Sequence, residues 1–141
     1  MQTQYSSRVI IYYKKNKQIL FLIVQDLYEQ WDFPIGLVTE HKPRPENIKQ
    51  KLINDLGSKS LEFIPGFQEI KNITLTFEAE LIHKRIIWYL VKSKYKKTHT
   101  SKKYIRYKWC SIKQAQKIIK VNYTKEILKK ADQFLKIPRL I

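Results

Sequence analysis

Lys51, Asn54 and Asp55 stand at i, i+3 and i+4, so a helix through them sets the three side chains side by side. An ammonium, an amide and a carboxylate sum to about zero charge. A divalent ion such as Mg²⁺ wants an array of oxygen ligands, mostly carboxylate and phosphate, and an ammonium at its centre repels it. The second chemistry-bearing stretch is Lys92–Lys108, where eight Lys/Arg are interleaved with Tyr95, Tyr104 and Tyr107. Basic side chains contact phosphate, and exposed aromatics stack on unpaired bases. Lys92, Lys94, Tyr95, Lys96, Lys97, Lys102, Arg106 and Lys108 are therefore the candidate RNA contacts. Trp109 reads as core, because alternation buries one side of its strand. No helix-turn-helix, RNA-recognition-motif or KH signature is present, so readout of duplex DNA is not expected.

The elements that must position these residues follow from the pattern. Pro45 suits a first helical position, where the missing N–H costs nothing and φ is pre-set. Ile48, Leu52, Ile53 and Leu56 then recur at helical spacing, and Gly57 closes the run where positive φ is wanted. Ahead of this helix, Arg8–Tyr13 and Gln18–Gln25 read as a hairpin whose second strand is apolar enough to be buried on both faces. Between hairpin and helix lie the short segment Trp31–Pro34, a turn at Gly36 and a loop. Leu61–Ile64, Gly66–Ile70 and the alternating Ile73, Leu75 and Phe77 are extended segments. Arg85–Val91 is a strand returning through a connection at Glu78–His83. Ser93–Lys103 reads as a loop and Tyr104–Cys110 as a strand. Ser111 with Gln114 has the form of a capping box for a helix over Ile112–Ile119. Thr124 is the expected cap of a last helix striped by Ile127, Leu128, Ala131, Phe134 and Leu135 and stopped by Pro138.

The chain of 141 residues fits one domain, 1–141, with a proper core. A single cysteine, Cys110, excludes a disulfide framework, and the scattered His41, His83 and His99 give no zinc spacing. No apolar run reaches membrane-spanning length, and MQTQYSSRV lacks a signal-peptide pattern. The expectation is a cytoplasmic, reducing location with organellar import left open, and no membrane partner. Net charge is +16 and uneven: ten basic and ten acidic residues up to His83, then eighteen basic against Glu126 and Asp132. Coding bias alone would load both parts equally. The asymmetry points to a polyanionic partner.

WDFPIG at Trp31–Gly36 and the helix closed by Gly57 resemble the Nudix box, G-x5-E-x7-R-E-U-x-E-E-x-G-U, where U is apolar. Leu52 matches an apolar position and Gly57 the closing glycine. GFQEI at Gly66–Ile70, YKWCSIKQA and EILKKADQFL extend the likeness along the chain, most nearly to the asymmetrical diadenosine tetraphosphate hydrolases. The resemblance implies an α/β fold, a Nudix-like α/β/α sandwich with a mixed central sheet. It also implies a metal-dependent hydrolase whose box carboxylates hold Mg²⁺. Those carboxylates fall here on Lys42, Lys51, Asn54 and Asp55, and the box arginine on Gln50. The family's further acid, in the loop before the Trp-containing strand, falls near Lys103.

Lysine thus stands for carboxylate at Lys42, Lys51 and Lys103, and each lost charge-stabilising group costs about a hundredfold or more in rate. The expectation is a catalytically degenerate Nudix domain, leaning away from an enzyme, with no metal or other cofactor. The three lysines would hold nucleotide or RNA phosphate directly, within a ribonucleoprotein such as a ribosome. A divergent pyrophosphohydrolase using Glu40, Glu46 or Asp55 is the enzyme alternative, and a nucleotide-holding protein without turnover is the third.

Overall fold

The computed structural model describes residues 3–96 and 103–137. Its elements are β1 (Thr3–Lys15), β2 (Gln18–Gln25), β3 (Trp31–Asp32), β4 (Ile35–Thr39), α1 (Pro45–Leu56), β5 (Leu61–Phe77), β6 (Glu80–Ser93), β7 (Arg106–Cys110), α2 (Ile112–Ile118) and α3 (Asn122–Lys136). The seven strands form one mixed sheet. Strand β1 runs parallel to β6 and antiparallel to β2 and β4; β7 lies along the outer side of β2, and β5 along β6. Helix α1 covers one face, and α2 with α3 the other, giving the expected α/β/α layering.

Two apolar clusters follow from strand alternation. Leu22 and Val24 turn toward α1, where Ile48, Leu52 and Leu56 are fully buried. Phe21 and Ile23 turn the other way, toward Ala115, Ile127, Leu128 and Ala131. Strand β2 is thus buried on both faces, as its continuous apolar run requires. Pro45 opens α1, and Gly57 closes it with φ 66° while its N–H donates to Ile53 O. The capping box at Ser111 and Gln114 is present in both directions. Among the described residues no helix is long and apolar enough to cross a membrane.

Several boundaries differ from the pattern-based expectation. Gly36 is not in a turn but inside β4, paired across to β1. A Cβ there would meet Ser7 Oγ at 2.5 Å and Ile48 Cγ2 at 2.8 Å, so close packing of α1 on the sheet is what excludes a side chain. The β5–β6 connection is only Glu78–Ala79, both at positive φ, and the strand continues through Leu81–His83. Positive φ at both central residues fits the right-handed twist of a hairpin. Thr124 does not cap α3: the helix begins earlier, with Val121 as cap, and Thr124 is buried within it. Strand β7 begins at Arg106, because Tyr104 instead reaches across to Ile35.

Candidate functional site

Helix α1, the start of β4 and the segment before β7 converge on Asp55. The carboxylate lies near the end of α1 and is buried, not on the surface as its terminal position suggests. Its Oδ1 is 3.4 Å from Lys51 Nζ, one turn back on the same helix. Its Oδ2 accepts a hydrogen bond at 3.2 Å from Lys103 Nζ, which arrives from 48 residues away. Lys103 also stands 5.8 Å from the Tyr104 ring centroid. The Tyr104 hydroxyl oxygen accepts the Ile35 N–H at 3.0 Å. Burial, together with the nearby Asp55 charge, pushes the Tyr104 phenol up to about 12, against the pull of that backbone hydrogen bond.

Of the three lysines expected to form a phosphate site, two therefore meet, and they meet on a carboxylate. Lys42 is exposed in the loop before α1 and makes no ion pair among the described residues. Gln50 and Asn54 are exposed, and the Gln50 amide donates to Asn54 Oδ1 at 3.2 Å. The donor set does not fit a divalent metal. One carboxylate is present, both of its oxygens are engaged by ammonium groups, and no cluster of three His, Cys, Asp or Glu exists among the described residues. Glu40 and Glu46 are exposed.

The described part of the basic tract lies at two places on the sheet. Lys92, Lys94, Tyr95 and Lys96 lie at the end of β6, whereas Arg106 and Lys108 lie on β7. In the row joining these strands, Lys92 pairs with Tyr12, Tyr12 with Phe21 and Phe21 with Cys110. Three strand spacings, about 14 Å, thus separate the two ends. Lys108 Nζ sits 5.1 Å above the Trp31 ring. Lys97 and Lys102 lie outside the described residues.

A second constellation has no local sequence signature. On the α3 side of the sheet, Arg8 donates to Phe33 O at 3.1 Å and pairs with Asp32 at 3.8 Å. Burial pushes the Asp32 carboxyl above its usual range despite Arg8. Burial, with Arg8 nearby, lowers the Lys84 ammonium. Tyr123 packs edge-on against Trp88 at 5.9 Å, and Lys71 lies 5.5 Å from the Tyr123 ring centroid. Trp88 Nε1 is a buried donor with no hydrogen-bond partner among the described residues. Arg8, Asp32, Lys71, Lys84, Trp88 and Tyr123 come from five elements, so only pairing across the sheet and the packing of α3 on it bring them together.

No protein-family model and no curated protein matches the sequence. Solved structures do match in three dimensions. A C. elegans Ap4A hydrolase in a binary complex superposes with TM-score 0.77 at 20% identity, covering 93% of this chain and 96% of that one. The E. coli dihydroneopterin triphosphate pyrophosphohydrolase gives 0.69 at 15% identity, covering 89% and 92%. The Nudix domain of Shewanella oneidensis NrtR, complexed with ADP ribose, gives 0.66 at 13% identity, covering 96% and 90%. The chain has the Nudix fold and is similar in structure to Ap4A hydrolases.

Proposed function

We propose that this chain is a non-hydrolysing Nudix-fold protein that binds RNA or nucleotide phosphates, as an accessory or structural component of a ribonucleoprotein such as a ribosome. The observation that carries the reading is the clamp on Asp55. Catalysis by a metal hydrolase needs an ion that neutralises phosphate oxygens and activates water. Here two ammonium groups occupy the one buried carboxylate of the box helix, at 3.4 and 3.2 Å. The uneven charge, with all sixteen excess positive charges after His83, supports a polyanionic partner.

Two assays test the reading. Binding of single-stranded RNA should weaken steeply as salt rises, because phosphate contacts release counterions; a flat salt response contradicts it. Diadenosine tetraphosphate and 5′-triphosphorylated RNA, offered with Mg²⁺ and with Mn²⁺, should not turn over. Turnover abolished by changing Glu40, Glu46 or Asp55 would instead establish a hydrolase with relocated acids. The Arg8–Lys84–Tyr123 constellation favours a second reading, a protein that holds a small nucleotide without turnover. A co-crystal with a nucleotide on those residues, from a protein without RNA affinity, selects it.

A further inference from the structure

Among the described residues, Lys51, Lys103, Lys130, Lys136 and Arg8 all have carboxylate partners. Lys49, Lys59, Lys92 and Lys94 have none among the described residues, yet they line a single open groove of about 440 Å³ with Ser60, Leu61 and Glu62. Four lysines and one glutamate among its lining residues sum to about +3. Its walls are fixed: the Lys94 N–H donates to Ser60 O at 3.1 Å, and Leu61 and Glu62 pair with Ser93 and Lys92. The lysines come from α1, the α1–β5 link and the end of β6, so the fold brings together charges from three separate stretches of sequence. Like charges held in one neighbourhood repel, and a folded chain keeps such a group most readily where an anion compensates it. Beside the groove, Tyr95 is 57% exposed, with Lys94 Nζ 5.7 Å from its ring centroid.

We infer that this groove is the RNA site, with Lys49, Lys59, Lys92 and Lys94 holding the backbone of a single strand and Tyr95 stacking on an unpaired base. The inference rests on the RNA-binding reading above and adds a place and a strand type to it. A paired duplex hides its base faces and cannot stack on a tyrosine, whereas a single strand offers one at every nucleotide. The groove is separate from the Asp55 clamp. Lys49 and Lys51 share α1, but only Lys51 reaches the carboxylate.

The test is fluorescence anisotropy of a labelled oligouridine, across a salt series, with the intact chain and three variants. The double variant Lys59→Glu/Lys92→Glu should bind at least about tenfold more weakly and flatten the log–log salt slope by about 1.4, two phosphates at about 0.7 each. The control Lys113→Glu/Lys129→Glu makes the same charge change at exposed positions on α2 and α3. It should bind within about threefold of the parent. Tyr95→Ala should lose about fivefold or more on oligouridine and leave any duplex binding unchanged. Thermal unfolding checks that each variant folds. Equal losses from the two double variants would overturn the groove while leaving RNA binding intact. An unchanged affinity in Tyr95→Ala would overturn the stacking. A parent chain that does not bind oligouridine would overturn the RNA reading itself.

Discussion

Lys49 and Lys51 stand two residues apart on α1 and belong to opposite kinds of site. Lys51 joins Lys103 on Asp55, so the charges of the clamp are compensated within the protein. Lys49 joins Lys59, Lys92 and Lys94 in a groove whose positive charge has one carboxylate to meet it. Both regions are lysine-rich and both lie beside the same helix. Counting lysines alone would merge them. Partner geometry separates a cluster that holds the fold from one that offers itself to an outside anion.

Variants and conditions that act on one region and spare the other sharpen this contrast. The largest effect is expected at alkaline pH, on the clamp side. Tyr104 has an ordinary value of about 10 and is raised to about 12 in the fold. The folded state therefore favours the neutral phenol. Its contribution is fully present below about pH 10 and is lost as pH rises through about 12, a change of about 2–3 kcal/mol. Denaturant unfolding across this range measures it, and Tyr104→Phe should remove that share of the loss. Next comes Asp55→Ala, which leaves two ammonium groups facing each other. Breaking a fully buried pair costs about 3–5 kcal/mol. The lysine side chains are 40% and 31% exposed, and solvent screening lowers the expected loss to about 1–3 kcal/mol.

Asp55→Asn makes a finer comparison. It keeps the shape but releases Lys51 and Lys103 from their counter-charge, so the clamp becomes groove-like. Affinity for inorganic phosphate or RNA should rise by an amount worth about 1 kcal/mol or less, readable by calorimetry. The smallest effect belongs to the groove. Lys49→Ala or Lys92→Ala should shift stability by no more than about 0.5 kcal/mol, since neither side chain has an ion partner among the described residues. A loss comparable to that of Asp55→Ala would erase the distinction between the regions.

What could be read in advance was local. Pro45 and Gly57 bracket α1 because each carries its own backbone constraint, and Ser111 with Gln114 announces a capped start. Strand β2 was legible from its continuous apolar run. Strand β4 was not: IGLVT is short, follows a proline, and is strand only because β1, some thirty residues earlier, pairs with it. The hairpin was legible, but its connection was read as Glu78–His83 because Glu78–Ala79 lacks the Asn-Gly or Asp-Gly composition that marks a two-residue turn. At the site, the helical spacing of Lys51 and Asp55 made their contact readable. The depth of Asp55, and the approach of Lys103 to its second oxygen, come from packing of distant segments. The Arg8–Asp32–Lys84–Tyr123 constellation and the grouping of Lys49 and Lys59 with Lys92 and Lys94 depend wholly on cross-strand register and helix placement. No spacing rule reaches that far.

On α1, ammonium groups engage the carboxylate a divalent ion would need. Titration of the intact chain with Mn²⁺, followed by water-proton relaxation, tests it directly at the ion. No stoichiometric binding is expected, and no difference between the parent and Asp55→Asn. One tightly held Mn²⁺ per chain, lost in Asp55→Asn, would contradict it.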